Sequence, residues 1–136
     1  GSICLIQATS PLVNKKDFMN ACEMHIRTNK TILSVSEYLF NPSILCTLND
    51  DQTLKFLQKN TGIPRQEITK TYKLNGCFFL NEISHIIREK TLAPNESLPY
   101  IMPKYCSVDI DDHVDWELAQ FIQSNLKIFK NKTYLN

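Results

Sequence analysis

A short acidic stretch at residues 107–112, with the sequence S-V-D-I-D-D, holds the residues best suited to chemistry. If the segment is extended, successive side chains alternate between two faces, so Asp109 and Asp111 share one face about 6.5–7 Å apart along the strand. Carboxylates at that spacing can converge on one hard cation, and Mg²⁺ typically takes one or two of them together with water and phosphate oxygens. On spacing alone, a Mg²⁺ site at Asp109 and Asp111 is one hypothesis, and a solvated turn is the other.

The third carboxylate of this stretch has a different explanation. Asp112 directly precedes an amphipathic segment and is followed three positions later by Asp115, a pattern typical of a helix N-cap. Asp109 lies too far before that helix to cap it. We therefore predict that Asp112 caps the helix, and the role of the other two carboxylates stays open at this point.

A second group of polar residues lies near the start of the chain. The apolar run at 3–6 lacks a helical period, which is typical of a strand buried on both faces. The loop Q-A-T-S-P-L follows it and supplies Gln7, Thr9 and Ser10. In open α/β sheets, ligands bind beyond the carboxyl ends of the strands. These side chains could therefore bind a ligand, or they could satisfy backbone groups in an ordinary loop.

The middle of the chain is basic, and Arg65 is its strongest ligand candidate. Arg65 lies between Pro64 and Gln66 in a segment with no regular pattern. A guanidinium group can bind a carboxylate or phosphate through two parallel hydrogen bonds. For the neighbouring lysines, a solvated surface is the default interpretation.

The elements that must position these residues follow an α/β order. Strands are predicted at 3–6, 31–35, 77–80 and 100–102, a hairpin at 44–48 and 53–57, an extended piece at 107–111, and helices at 17–27, from 81 or 82 onward, and at 113–126. The opening strand–helix–strand order is the βαβ pattern of a parallel sheet. We therefore predict one α/β domain over 1–136, with a mostly parallel sheet flanked by helices. The last helix is predicted to carry an apolar stripe of Val114, Leu118, Phe121, Ile122 and Leu126.

Composition argues against several function classes. The chain has 136 residues, of which 43% are hydrophobic and 21% charged, which suits one globular domain. Fifteen basic and fourteen acidic residues give a net charge of +1, which argues against nucleic-acid and membrane partners. Five scattered cysteines without a C-x-x-C pair suit a reducing cytosol better than a zinc site. The first two residues, Gly1-Ser2, are typical of a cloning remnant.

Four stretches of the chain, taken in order, resemble one family. The motifs are I-C-L-I-Q-A-T-S-P-L, then S-V-S-E-Y-L-F-N-P, then I-P-R-Q with Y-K-L-N-G-C-F-F-L, and last Y-I-M-P-K-Y-C-S-V-D-I-D-D-H-V-D-W-E-L-A-Q-F-I. They are similar to the "Q-x-T-S-P-L" loop, the following strand with its Asn-Pro turn, the "P-R-Q … x-N-G-A-I-Y-I" segment and the closing "M-P … S-x-D-I-D-T-x-x-D-W-x-x-A-E" of the acylneuraminate cytidylyltransferases, or CMP-sialic acid synthetases. Singly each motif is weak, but jointly they are specific.

This resemblance implies an α/β fold like that of the nucleotide-diphospho-sugar transferases. It also implies a reaction in which the anomeric hydroxyl of a nonulosonic (sialic-type) acid attacks the α-phosphate of CTP and releases pyrophosphate. Mg²⁺ is the implied cofactor, CTP and the acid sugar are the implied substrates, and a homodimer is the implied assembly.

The resemblance also implies roles for individual residues. Asp109 and Asp111 match the family's metal-binding D-x-D and would be the catalytic pair. The other matched positions belong to substrate-binding segments, and they are Gln7, Thr9, Ser10, Arg65, Gln66, Asn75 and Phe79. Arg65 and Gln66 match a segment that reaches across a dimer.

Two matched positions depart from the family pattern. Phe79 stands where the family usually has Tyr, so a hydroxyl contact to the sugar is lost or not needed. Asp112 replaces the usual Thr, which adds negative charge beside the metal pair. Asn75, by contrast, matches the Asn of an N-G turn beside the sugar.

The larger departure from the family is an absence. The family begins with a strand and a basic A-R-x-G-S-K loop that cradles the CTP phosphates, and none of the three glycines here lies in such a loop. We therefore expect the carboxy-terminal part of a cytidylyltransferase, with a fold incomplete at the amino terminus and unable alone to bind CTP properly. The alternative is a catalytically inactive protein that acts as a dimerisation or binding module. A third hypothesis is an enzyme for another acid sugar, such as 3-deoxy-octulosonate or pseudaminic or legionaminic acid.

Overall fold

The computed structural model describes residues 1–38, 44–57 and 70–131, without the side chain of residue 131. The predicted ligand candidates Arg65 and Gln66 lie outside these described residues. The chain divides into two compact units, of which the first comprises Gly1–Ser36 with Lys73–Asn136 and the second comprises Glu37–Tyr72. Among the described residues, no helix has the length and apolar character needed to cross a bilayer.

The described residues contain both strands and helices. The strands are β1 (Ser2–Leu5), β2 (Ile32–Tyr38), β3 (Cys46–Leu48), β4 (Leu54–Phe56), β5 (Thr71–Glu82) and β6 (Leu98–Met102). The helices are α1 (Lys15–Thr28), α2 (Ile83–Glu89), α3 (His113–Ser124) and α4 (Leu126–Asn131), with a short 3₁₀ helix at Lys104–Cys106. The predicted α/β class is confirmed.

The first unit is built on a four-stranded mixed sheet with the order β1-β5-β2-β6. The prediction of a mostly parallel sheet is wrong, because the sheet is mostly antiparallel. Strands β2 and β6 do run parallel, from Ile32 opposite Leu98 to Ser36 opposite Met102. However, β5 lies between β1 and β2 and runs antiparallel to β1. The βαβ pattern could not show that a later strand separates the first two.

Strand β1 lies at an edge of this sheet. The prediction that it is buried on both faces is wrong, since the side chains of Ile3 and Leu5 are 48% and 42% exposed. An apolar run without a period identifies a strand, but it does not give the position of that strand in the sheet. The loop that follows β1 is nevertheless placed as predicted, beyond its carboxyl end.

The core of the first unit forms around Phe78 of β5. Its ring lies 6.4 Å from the ring of Phe18 on α1 and 5.5 Å from that of Tyr100 on β6. On the neighbouring strand, the buried Ser34 hydroxyl accepts a hydrogen bond from the Phe78 amide at 2.8 Å. This hydroxyl also donates to the Phe78 carbonyl at 3.1 Å, so the buried hydroxyl both donates and accepts a hydrogen bond. Helix, sheet and aromatic packing thereby hold β5 in place.

Helix α3 begins as predicted but buries a different face. Asp112 is its N-cap and accepts hydrogen bonds from the amides of Val114 and Asp115 at 2.8 and 3.0 Å. The predicted apolar stripe is wrong in part, because Ile122 is buried with Ala119 while Val114 is 75% exposed. The predicted single helix also breaks at residue 125, after which α4 begins.

The second unit contains the predicted hairpin. Strands β3 and β4 pair antiparallel, with Leu48 opposite Leu54 and Cys46 opposite Phe56. Because directly opposed residues share a face of a two-stranded ladder, these four apolar side chains lie together. All four are exposed.

Candidate active site

Three segments that are distant in sequence meet beyond the carboxyl end of β1. The Gln7 amide donates to the Gly76 carbonyl at 3.1 Å, which joins the Q-A-T-S-P-L loop to β5. The Ile110 amide donates to the Thr9 carbonyl at 2.9 Å, which joins the same loop to the D-I-D segment. The Ser10 hydroxyl donates to the Asn75 carbonyl at 3.0 Å. The structure therefore brings together most of the residues proposed from the sequence.

Gly76 is what allows the loop to approach β5 this closely. Its φ angle is +72°, in the left-handed region that side chains disfavour. A Cβ atom at this position would lie 1.8 Å from the Gln7 Oε1 and 2.9 Å from the Ser10 Oγ. The Gln7 carboxamide thus sits directly on the glycine. The interpretation of Asn75-Gly76 as a turn before a strand is wrong, because both residues lie inside β5.

The polar residues of the loop and of β5 differ in accessibility. Gln7 and Thr9 are exposed and so can meet a ligand. Ser10 and Asn75 are each only 2% exposed, and both are hydrogen-bonded to other parts of the protein. These two residues therefore support the site from within.

The two carboxylates of the D-x-D pair have different surroundings. Asp111 is exposed, and its backbone amide donates to the Asp115 carboxylate at 3.0 Å. Asp109 is half-buried, and its Oδ1 atom is inaccessible to solvent and has no hydrogen-bond partner among the described residues. A buried carboxylate oxygen normally has a partner, because an unsatisfied one is costly. Such an oxygen fits a position that binds a cation.

The donor set also limits what kind of metal site this could be. Within the described ranges, no group of three or more His, Cys, Asp or Glu side chains could hold a metal ion. A site at Asp109 and Asp111 would therefore need further oxygen ligands. Mg²⁺ commonly takes these from water and from substrate phosphate. The residues present fit such a site. Residues 107–110 belong to no strand, so the predicted extended piece is not part of the sheet.

Phe79 lies farther along β5, away from the glycine. It is half-buried and pairs with Leu5 across the antiparallel ladder with β1. This places an aromatic ring, without a hydroxyl group, opposite the last residue of β1 and three residues beyond Gly76.

The buried thiol of Cys77 borders the site but does not supply a nucleophile. The pKa of Cys77 is raised to about 11, mainly by burial and in smaller part by the nearby Cys106, Asp17 and Asp109, while a hydrogen bond with Ser10 opposes the rise. The thiol is therefore protonated at neutral pH and lacks thiolate reactivity.

Ser107 contacts the site but was not among the residues predicted from the sequence. Its hydroxyl accepts a hydrogen bond from the Asn75 Nδ2 at 2.8 Å and donates to the Pro103 carbonyl at 3.0 Å. The sequence did contain one indication of its importance, since Ser107 lies two residues before Asp109. In the structure it directly follows the 3₁₀ helix. Its partner on β5 could not be read from the sequence.

Several known proteins are similar to this chain in sequence. The chain is 31% identical to an N-acylneuraminate cytidylyltransferase of Escherichia coli O18:K1:H7, over 99% of the chain and 33% of that protein. The chain is related to the N-acylneuraminate cytidylyltransferases. It is also 30% identical to the CMP-N,N'-diacetyllegionaminic acid synthase of Legionella pneumophila, over 88% of the chain and 52% of that enzyme.

A pseudaminic acid cytidylyltransferase of Campylobacter jejuni is 26% identical, over 88% of the chain and 53% of its own length. The resemblance to acid-sugar cytidylyltransferases is thereby confirmed. The chain spans about a third to a half of the length of these curated relatives. No protein-family model matches it.

Proposed function

We propose that this protein is a nucleotidyltransferase that transfers CMP from CTP to a nonulosonic, sialic-type acid sugar and releases pyrophosphate. The observation that carries the proposal is the meeting of the Q-A-T-S-P-L loop, β5 and the D-I-D segment around Asp109, whose buried oxygen has no partner in the described part of the chain. Similarity to cytidylyltransferases over most of the chain supports the same reaction.

The carboxylates and the carboxamide of this site have different roles in the proposed reaction. Asp109 and Asp111 would hold Mg²⁺, which when bound neutralises phosphate charge and orients the α-phosphate for in-line attack. The Gln7 carboxamide is exposed and supported by Gly76, so it can hydrogen-bond a hydroxyl or carboxylate of the sugar. Holding these groups in fixed positions lowers the barrier, because the reactants no longer have to be ordered in the transition state.

The acceptor proposed here is a nonulosonic acid. Phe79 offers only an apolar ring to the sugar, so selection among acid sugars would fall on Gln7 and Thr9, which are polar and exposed. The three relatives named above carry the names of three different nonulosonic acids. The class is therefore better supported than any one member.

The proposed assembly is a homodimer formed through the hairpin of the second unit. Its apolar face consists of Cys46, Leu48, Leu54 and Phe56, and Leu48 and Leu54 are 62% and 58% exposed. A two-stranded hairpin is at best marginally stable in water. An exposed apolar face on such a hairpin indicates a surface that binds a partner. A second copy of the same chain supplies a matching face.

The test is transfer of CMP by the purified protein. CTP, Mg²⁺ and N-acetylneuraminic, legionaminic, pseudaminic or 3-deoxy-octulosonic acid are supplied in turn, and pyrophosphate release and the CMP-sugar are measured. We expect Asp109→Asn to lower turnover at saturating CTP by about a hundredfold or more, because charge stabilisation by the metal is worth several kcal/mol. Asp50→Asn makes the same change at an exposed position of the hairpin and serves as the control.

Two results would overturn the proposal. Turnover unchanged in Asp109→Asn would remove the metal role of that residue. If the protein binds CTP but transfers CMP to none of the four sugars, it is not a transferase of this class. Dimerisation retained in that case would favour the binding-module function instead.

A further inference from the structure

We propose that Asn75 and Ser107 form a pair of positioning residues that holds Asp109 in place for metal binding. The inference rests on the proposed function, in which Asp109 is a metal ligand. It goes further by assigning a role to Ser107 and by explaining how an irregular segment can present a carboxylate reproducibly.

The segment that carries Asp109 has no ladder of its own. Residues 107–110 belong to neither a strand nor a helix. Two hydrogen bonds join them to β5 and to the Q-A-T-S-P-L loop, one on each side of Asp109. Ser107 is bound by the Asn75 side chain at 2.8 Å, and the Ile110 amide is bound by the Thr9 carbonyl at 2.9 Å.

Asn75 is connected to both of these hydrogen bonds, directly through Ser107 and indirectly through the loop that carries Thr9. Its side-chain Nδ2 holds Ser107, and its backbone carbonyl accepts the Ser10 hydroxyl at 3.0 Å, one residue after Thr9. Its Oδ1 accepts from the Cys77 amide at 3.3 Å, which fixes the orientation of the carboxamide. Asn75 is 2% exposed, so water does not compete for these bonds.

Ser107 connects the acidic segment to the fixed side chain of Asn75. Its hydroxyl accepts from Asn75 and donates to the Pro103 carbonyl at 3.0 Å, so both hydrogen-bonding roles of the group are in use. Its backbone amide donates to the Lys104 carbonyl at 3.1 Å. Ser107 is thus tied to β5 and to the 3₁₀ helix, two residues before the carboxylate it positions.

The first measurement is the affinity for Mn²⁺, used as a probe for Mg²⁺ and followed by electron paramagnetic resonance. We expect Asn75→Ala and Ser107→Ala each to weaken Mn²⁺ binding about tenfold, since partners outside the ligand shell commonly contribute that much. The double variant should be little weaker than either single variant, because both changes break the same bond. Ser107→Thr keeps the hydroxyl and should restore binding.

Ser97→Ala provides a matched control. The Ser97 hydroxyl also donates to a proline carbonyl, that of Pro94, in the loop before β6. It should leave Mn²⁺ affinity unchanged. If Ser107→Ala lowers only the stability to urea and leaves Mn²⁺ affinity intact, or if the two single effects simply add, the positioning role is wrong.

A second measurement separates this inference from the proposed function. Amide hydrogen exchange of Ile110, measured without metal, should become faster in Asn75→Ala and Ser107→Ala but not in Ser97→Ala. If Asp109→Asn binds Mn²⁺ as well as the wild type does, the metal role in the proposed function fails. The exchange data still decide whether Asn75 and Ser107 hold the segment, and unchanged exchange would refute the inference.

Discussion

At the scale of single residues, the site depends on one glycine. Gly76 interrupts the side-chain pattern of β5 with a φ of +72° and leaves room for the Gln7 carboxamide and the Ser10 hydroxyl. The buried Ser10 in turn bonds the carbonyl of Asn75. The absence of a side chain at residue 76 therefore lets the loop after β1 close onto the strand.

Replacing this glycine should cost stability through two separate effects. Gly76→Ala is expected to destabilise the protein by about 1–2 kcal/mol through the left-handed backbone alone, with a further cost for displacing Gln7. Urea unfolding measures the sum. In Gln7→Ala/Gly76→Ala the clash with Gln7 is absent, so the additional cost of Gly76→Ala should shrink but not vanish. Equal midpoints for Gly76→Ala and wild type would show that the loop does not need the glycine.

At the scale of elements, the acidic stretch divides between two tasks. Asp112 and Asp115 form a reciprocal capping box at the start of α3, with the Asp115 carboxylate also accepting from the Asp112 amide at 3.3 Å. The same carboxylate accepts from the Asp111 amide. The helix N-terminus thus fixes the end of the segment in which Asp109 and Asp111 lie.

Loss of the cap should affect the helix more than the metal pair. Asp112→Ala is expected to lower the free energy of unfolding by about 1 kcal/mol, because the amides of Val114 and Asp115 lose their acceptor. Asp112→Asn keeps an N-cap oxygen and should stay close to wild type in urea unfolding. A loss in Asp112→Asn as large as in Asp112→Ala would point to the charge of Asp112 rather than to its capping bonds.

The elements also show what could be predicted from the sequence. The Asp112 cap, helix α1 and the β3–β4 hairpin were predicted correctly because each depends on neighbours within a few residues. The sheet order and the exposure of β1 were not, since they depend on β5, which lies some seventy residues later in the chain. Periodicity places a side chain on a face but does not identify what covers that face.

The candidate site divides in the same way. Residue types and the family resemblance indicated Gln7, Thr9 and Asp109, and the structure places their segments together. The burial of Ser10 and Asn75 and the role of Ser107 arise from hydrogen bonds between distant segments. No local pattern encodes those bonds, so only the folded chain reveals them.

At the scale of the whole molecule, the hairpin has one face that is apolar along its whole ladder. This face presents Cys46, Leu48, Leu54 and Phe56, whereas the Thr47–Lys55 pair lies on the other face, which becomes apolar only at Leu45 and Leu57 beyond the strands. A continuous apolar face is typical of a strand pair with that face covered. If a second copy covers it, burying the leucines supplies a driving force that the isolated hairpin lacks.

Dimerisation should therefore respond to one face of the hairpin only. We expect the wild-type protein to sediment as a dimer of two 15.7 kDa chains, with dissociation on dilution. Leu48→Asp places a charge on the apolar face and should give monomers, because a carboxylate cannot be buried there without a partner. Thr47→Asp introduces the same charge on the opposite face and should leave the dimer intact. A wild-type monomer at all concentrations, or equal effects of Leu48→Asp and Thr47→Asp in sedimentation velocity, would rule out this face as the interface.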